Sequence, residues 1–288
     1  MKLGVTSYSF VNKVFNDHWD WNDVIRKSAE MGFEGVEMAN LTDDWLKNSI
    51  KFTLDGLKRT AQECGIAICS WMLSADYATD PVGEVRRVCE EVDMAHELGA
   101  TVVRTDVCGE DVADPFAPEI IGALCEVADH CARYGMTLVT ENHGGFFCRP
   151  DRLEQLCRAV SRVNYGLLCD FANYADADED PLKAVARTRC LIRHVHMKDC
   201  HLLPGDRVFP GNGWYLTQGG NYLRCAITGQ GNIPLYQCVK TLKETGYDGW
   251  LIQEFEGIED CVYAVGQGLS FTKRLLEALP AGIWHEGI

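Results

Sequence analysis

The chain has 288 residues, of which 47% are hydrophobic, 10% aromatic and 24% charged, a composition typical of a globular protein and not of a disordered one. Its 42 acidic and 27 basic residues give a formal net charge of −15, which argues against nucleic acid as a partner. No apolar run is long enough to predict a membrane span, and the start MKLGVTSYSF lacks the pattern of a signal peptide. We therefore expect a cytoplasmic protein that binds neither nucleic acid nor membrane.

Fourteen cysteines are scattered through apolar stretches, and no two of them form a C-x-x-C motif. In a short secreted chain such a number would indicate a disulfide scaffold. In a chain of this length and pattern it predicts reduced cysteines packed in a core. This prediction agrees with a reducing compartment.

Short apolar runs rich in β-branched residues alternate along the chain with amphipathic stretches of helical length, which is the pattern of parallel strands joined by helices. The predicted strands are Leu3–Tyr8, Gly35–Ala39, Ala67–Leu73, Thr101–Val107, Thr137–Asn142, Tyr165–Phe171, Ile192–Lys198 and Trp250–Phe255. The predicted helices are Trp21–Met31, Leu54–Cys64, Val82–Leu98, Pro118–Tyr134, Arg152–Val160, Pro181–Arg189, Leu235–Thr245 and Val262–Leu279.

Eight strand-helix pairs predict an α/β protein that folds as one (β/α)8 TIM barrel, a single domain over residues 1–288. A doubly wound sheet is disfavoured because no G-x-G-x-x-G motif follows the first strand. The connection between the seventh and eighth strands is unusually long and carries seven glycines from Gly205 to Gly231. We expect residues 200–232 to form a long glycine-rich loop that acts as a mobile cover over a site.

Four polar residues lie where the last four predicted strands end: Glu141, Asp170, His196 and Glu254. Their spacings are 29, 26 and 58 residues, which correspond to successive strand-helix units with the long connection in the last one. Because barrel strands end at a common mouth, the four side chains should converge there. Three carboxylates that converge repel one another unless a divalent cation neutralises them, and this ligand set suits Mn²⁺, Mg²⁺, Co²⁺ or Zn²⁺.

With these residues in place, the chain resembles the xylose-isomerase-like TIM barrel superfamily, the sugar phosphate isomerase/epimerase family. The resemblance runs from LGVTSYSF through GFEGVEM to GYDGWLIQEFEG. It implies one divalent metal ion, Mn²⁺ foremost, bound by Glu141, Asp170, His196 and Glu254. Alternation along a strand does not exclude the neighbours His194 and Glu256, since residues two apart share a face. The family pattern selects His196 and Glu254.

The resemblance also implies an isomerase or epimerase of a sugar or sugar-derived ketone, with Glu141 and Glu254 as catalytic residues that move a proton through a metal-stabilised enediolate. Two positions differ from ketose 3-epimerases of the family, which have a histidine at the place of Asn173 and an arginine near Leu202. A metal-dependent lyase or dehydratase acting on a keto-sugar, an inosose or an oxidised glycoside therefore remains an alternative. A further alternative is a carbohydrate-binding barrel without catalysis.

Five other residues are candidates for binding the small-molecule carbohydrate substrate: His143, Asn173, Lys198, Trp71 and Tyr8. Each also has a purely structural interpretation, such as a loop histidine, an Asx-turn, an exposed lysine or a core aromatic residue. The sequence leaves self-association into a homo-oligomer open.

Overall fold

The computed structural model describes residues 1–42, 51–109 and 111–280, so parts of the predicted domain at 43–50, 110 and 281–288 lie outside the described residues. Eight parallel strands close into a barrel, which confirms the predicted (β/α)8 fold. In chain order the barrel strands are β1 (Lys2–Thr6), β2 (Gly35–Ala39), β3 (Ala67–Leu73), β4 (Val102–Thr105), β5 (Thr137–Glu141), β6 (Tyr165–Asp170), β7 (Ile192–Met197) and β11 (Trp250–Gln253).

The helices follow the strands as a surrounding layer. They are α1 (Val11–Asn16), α2 (Trp21–Met31), α3 (Leu54–Cys64), α4 (Pro81–Leu98), α5 (Pro118–Ala132), α6 (Gly144–Phe147), α7 (Pro150–Val160), α8 (Pro181–Thr188), α9 (Leu235–Glu244) and α10 (Cys261–Ala278). Helix α2 shows how local sequence fixes the ends: Asp20 and Asp23 form a capping box, and Gly32 closes the helix at φ 90°. Over the described parts of the chain, none of the helices combines the length and the apolar character needed to cross a membrane.

The pairing of neighbouring strands determines which residues lie at the barrel mouth. Asp170, the last residue of β6, pairs with His196 near the end of β7, and Glu141 ends the neighbouring β5. Glu141 pairs with Leu168, two residues before Asp170, so all three residues lie at or near the carboxyl ends of adjacent strands. Glu254 follows the last residue of β11, which pairs with β7 on its other side. Polar side chains at the carboxyl ends of four adjacent strands are thus brought to one end of the barrel.

The segment predicted as a glycine-rich loop contains a small antiparallel sheet instead of irregular chain. Its strands are β8 (Asp199–Leu203), β9 (Tyr215–Leu216) and β10 (Tyr222–Ala226), in the order β8-β10-β9. Asp199 fixes its base by accepting hydrogen bonds from four backbone N–H groups, at Cys200, Gly229, Gly231 and Ile233. Glycine is required at 231, because a Cβ atom there would lie 2.2 Å from the Asp199 carboxylate.

The turn between β9 and β10 is held against the loop that follows β6. The carboxylate of Asp178 accepts hydrogen bonds from Thr217 Oγ1 at 2.8 Å, Asn221 Nδ2 at 2.7 Å and the Gly219 N–H at 2.5 Å. Gln218 also donates to the carbonyl oxygen of Gly145 in α6, at 2.7 Å. The insertion thus spans the loops after β5, β6 and β7, and its mobility remains a prediction.

Candidate metal centre

Glu141, Asp170, His196 and Glu254 converge at the barrel mouth, and one ligand atom from each lies within 4.8 Å of the others. The Nδ1 atom of His196 lies 3.6 Å from Glu141 Oε1, 3.9 Å from Asp170 Oδ2 and 3.4 Å from Glu254 Oε2. All four side chains are buried. The four residues thus present three carboxylate oxygens and one ring nitrogen to a common centre.

Two atoms of this set support a fit to a divalent ion. Asp170 Oδ2 and His196 Nδ1 are buried and have no hydrogen-bond partner in the structure. The other oxygen of Asp170 accepts 2.7 Å hydrogen bonds from the N–H groups of Ala172 and Asn173, which turn Oδ2 towards the centre. Burial, with repulsion from Glu254 and Glu141, raises the pKa of Asp170 well above its ordinary value. A cation bound there would partner the two free atoms and relieve that repulsion.

Glu37 of β2 fixes the ring of His196. Its carboxylate lies 2.9 Å from Nε2 of His196 and 2.9 Å from Nε2 of His194, and it accepts a 2.7 Å hydrogen bond from the Ser70 hydroxyl. An Nε2–H that donates to Glu37 leaves the lone pair of Nδ1 in His196 facing the carboxylates. Burial raises the pKa of Glu37, but His196 and His194 outweigh it and lower the pKa below its usual range.

Glu37, His194 and His196 are close enough to suggest a second ion site. Their 2.9 Å contacts, however, are ordinary hydrogen bonds between ring nitrogens and a carboxylate. His196 can serve both groups only by using Nε2 for Glu37 and Nδ1 for the other cluster. We therefore interpret Glu37 and His194 as residues that support the metal centre and not as a separate site.

Arg104 of β4 holds Glu141 in place. Its guanidinium contacts Glu141 Oε2 through Nε at 3.0 Å and through Nη2 at 2.8 Å, and Nη2 also lies 2.8 Å from Asp106 Oδ1. The other oxygen of Glu141 accepts a 3.1 Å hydrogen bond from Asn173 Nδ2. Burial raises the pKa of Glu141, but Arg104 and His196 outweigh it and lower the pKa. Asn173, predicted to bind substrate, thus contacts a predicted metal ligand.

Lys198 lies on the opposite side of the cluster and is buried. Its Nζ atom is 3.1 Å from Glu254 Oε2, 3.0 Å from Glu256 Oε1 and 3.9 Å from Asp170 Oδ2. Burial raises the pKa of Glu254, but Lys198 and His196 outweigh it and lower the pKa to about 2. Both glutamates contact Lys198, but only Glu254 also belongs to the four-residue cluster.

A cavity of about 240 Å³ opens beside Glu141. Thr140, Glu141 and His143 line it from β5 and the turn after it, and Asp76 and Asp106 line it from neighbouring loops. The His143 side chain is 61% exposed, with Nδ1 4.0 Å from Asp106 Oδ1. The volume lies just below the roughly 300–1,000 Å³ typical of sites for drug-sized ligands, so it suits a smaller molecule.

The two predicted aromatic residues differ in position. Tyr8 follows β1 and is half-buried, and burial together with the charges of Glu256 and Glu254 raises the pKa of its hydroxyl. Trp71 is fully buried, and its indole N–H donates a 2.9 Å hydrogen bond to Glu91 of helix α4. Trp71 therefore points to the helix layer, and the structure does not bring it to the site. The reason is strand alternation: its neighbour Ser70 is the residue that faces Glu37.

Sequence reasoning missed Glu37, Ser70 and Arg104. A signal was present, because Glu37 and Arg104 are the only charged residues of their short, buried strands. A buried charge needs a partner, so each of them should have been assigned to the barrel interior.

This arrangement is that of a TIM barrel with a candidate metal centre at the carboxyl ends of its strands. The model of the xylose isomerase-like TIM barrel family matches residues 25–275, and the chain belongs to that family. It is 24% identical over 280 residues to an inosose dehydratase of Geobacillus thermodenitrificans, with 89% of this chain and 90% of that protein covered.

Two solved structures have the same fold. A D-allulose 3-epimerase from Methylomonas sp. matches with a TM-score of 0.70 and 18% identity, covering 96% of this chain and 98% of the other. A xylose isomerase-like TIM barrel protein from Mycobacterium smegmatis, solved in complex with magnesium, matches with a TM-score of 0.70 and 17% identity, covering 91% and 89%. At these identities the two structures support the fold alone.

Proposed function

We propose that this protein is a divalent-metal-dependent dehydratase of a polyhydroxylated cyclic ketone, with an inosose as the substrate to test first. The observation that carries the proposal is the shared cavity of Glu141 and His143 beside the four-residue cluster. The similarity to inosose dehydratases along most of the chain supports the same substrate class. The proposed ligands are Glu141, Asp170, His196 and Glu254, and the proposed ion is Mn²⁺.

When bound, a divalent ion would polarise the substrate carbonyl and acidify the neighbouring C–H. Glu141 then removes that proton, because it lines the cavity while Arg104 and Asn173 hold it in one orientation. As the C–H bond breaks, a C=C bond forms and the hydroxyl on the next carbon leaves. His143, exposed in the same cavity, donates the proton that turns the hydroxyl into water. In this proposal Lys198, whose Nζ atom lies 3.1 Å from Glu254 Oε2, orients a substrate oxygen.

Epimerisation or isomerisation is the second candidate. The presence of two carboxylates that could act as acid and base, Glu141 and Glu254, favours it. Glu141 and Glu254 approach the His196 ring from different strands, so one could remove a proton and the other return it. That chemistry would not require His143. The two reactions share the first proton transfer and differ in the second step, which is either loss of the hydroxyl or return of a proton to carbon.

Incubation of Mn²⁺-loaded protein with an inosose in D₂O, followed by NMR, tests the proposal. We expect loss of water from the substrate and an alkene-derived product. His143→Asn should stop water loss yet keep exchange of the carbon-bound proton, whereas Glu141→Gln should stop both. Metal content is measured for each variant, because Glu141→Gln also removes a ligand. Deuterium entry into recovered ketoses without water loss would favour the epimerase, and metal binding without any exchange would favour a non-catalytic carbohydrate-binding barrel.

A further inference from the structure

Two cysteines of the insertion face each other across a pair of antiparallel strands. Cys200 of β8 lies directly opposite Cys225 of β10, and their sulfur atoms are 3.8 Å apart. Both side chains are buried, with 1% and 5% of each residue exposed. The proposed dehydratase mechanism uses neither of them.

The backbone shows which kind of strand pair they form. The N–H of Cys200 donates to its neighbour Asp199 Oδ1 at 2.9 Å, and its carbonyl accepts from the Asn232 N–H at 2.7 Å. Its backbone groups therefore have partners other than Cys225, as at a non-hydrogen-bonded position of an antiparallel ladder. At such positions opposite Cα atoms are about 4.5 Å apart, within the range of about 4.4–6.8 Å that a disulfide spans. Closing a bond requires the sulfurs to rotate towards each other and no large movement of the strands.

The hydrogen bonds give the two thiols different roles. Cys200 donates to the sulfur of Cys225, and Cys225 donates to Glu256 Oε2 at 4.0 Å. The hydrogen bond to Cys225 and burial raise the pKa of the Cys200 thiol well above its ordinary value. Cys225 is the more exposed residue of the two, at 5% against 1%, so it is the thiol for the first oxidation step, and Cys200 is the thiol that resolves the product.

We propose that Cys200 and Cys225 form an oxidation site that closes to an intramolecular disulfide when the protein meets a peroxide. The sulfur of Cys225 attacks one peroxide oxygen, the O–O bond breaks, and the departing hydroxide takes the thiol proton to form water. The sulfur of Cys200 then attacks the sulfenic acid, the S–O bond breaks, and the hydroxide leaves with the second thiol proton as water. Two thiols and one hydrogen peroxide thus yield one disulfide and two waters.

Glu256 connects the cysteine pair to Lys198, which contacts the proposed metal ligand Glu254. Glu256 accepts from Cys225 with one oxygen and lies 3.0 Å from Lys198 with the other. The disulfide would form at the base of the insertion that spans the barrel mouth. The inference rests on this geometry and is independent of the reaction that the barrel catalyses.

Peptide mass mapping tests the proposal on the whole folded protein. The protein is treated with hydrogen peroxide, remaining thiols are alkylated, and the chain is cleaved with trypsin and chymotrypsin. Cleavage after Arg207 and Arg224 separates the two cysteines, and cleavage after Tyr236 removes Cys238 from the Cys225 peptide. We expect linked peptides whose mass is lower by two hydrogen atoms and which dithiothreitol separates.

Three variants act as controls. Cys200→Ser should abolish the link and leave Cys225 as a sulfenic acid that dimedone labels, and Cys225→Ser should abolish both. Cys148→Ser, at another buried cysteine whose sulfur contacts the Asn142 carbonyl at 3.5 Å, should still form the link. The exposed Cys190 reports that the oxidant acted. The proposal would be overturned if Cys190 were oxidised while Cys200 and Cys225 were both recovered as alkylated thiols. A disulfide from Cys225 to a different cysteine would also overturn it.

Discussion

Replacing Glu37 by glutamine tests how the structure sets the metal-binding nitrogen of His196. The carboxylate accepts from two ring nitrogens at 2.9 Å each, whereas an amide has one acceptor oxygen and one donor nitrogen. In Glu37→Gln one of the two histidines therefore meets a donor. If that histidine is His196, its Nε2 atom must accept a hydrogen bond, so its proton moves to Nδ1. Nδ1 is the atom that faces Glu141, Asp170 and Glu254.

Loss of such a supporting hydrogen bond typically weakens metal affinity about 10–100-fold, which is about 1.4–2.8 kcal/mol of binding free energy. Calorimetric titration of chelator-treated protein with Mn²⁺ measures the change directly. Ser70→Ala is the matched control, because it removes a donor to Glu37 and leaves the charge and both histidine contacts. We expect it to lower the free energy of unfolding, by about 1.5–3 kcal/mol, with little change in Mn²⁺ affinity. Wild-type affinity in a folded Glu37→Gln protein whose crystal structure shows the amide nitrogen facing His196 would refute the reasoning.

Three further predictions concern the surroundings of the site. Arg104→Met should lower the free energy of unfolding in urea by about 3–5 kcal/mol, because it leaves the buried Glu141 without its cation; an unchanged urea midpoint would contradict this. Asp178→Ala should speed tryptic cleavage after Arg207, because the turn between β9 and β10 loses three hydrogen bonds that restrain the insertion. Equal cleavage rates in mutant and wild type would mean that Asp178 does not restrain the insertion. Adding Mn²⁺ at about 100 times its Kd should raise the unfolding free energy by about 2.7 kcal/mol, and a chelator should reverse the gain.

Much of the fold can be predicted from periodicity alone. Helices α2 and α3 have the predicted ends, because a capping aspartate or threonine begins each and a glycine at positive φ closes it. The last strand ends at Gln253, two residues before the predicted end, since apolar character continues into Phe255 beyond the ladder. The insertion was harder to predict, because its two-residue strand β9 and its glycines carry no clear alternation.

The candidate site is harder to predict from the sequence than the fold. The order of Glu141, Asp170, His196 and Glu254 could be inferred because each ends a regular strand-helix repeat. The charge of Glu37 indicates a residue of the barrel interior, but its partners His194 and His196 lie more than 150 residues away in the chain, and only the closed barrel reveals these contacts. The orientation of Trp71 depends on which residues of β3 face the interior, and a buried strand has no polar face to reveal it. The contacts that fix the ring of His196 therefore needed the closed barrel.

The anomalous difference map of a Mn²⁺-soaked crystal tests the central claim most directly. We predict a single strong peak at about 2.0–2.3 Å from Glu141 Oε1, Asp170 Oδ2, His196 Nδ1 and Glu254 Oε2. The Nε2 atom of His196 should remain at hydrogen-bond distance from Glu37. A peak between Glu37 and the Nε2 atoms of His194 and His196, or coordination by Glu256 in place of Glu254, would contradict the account.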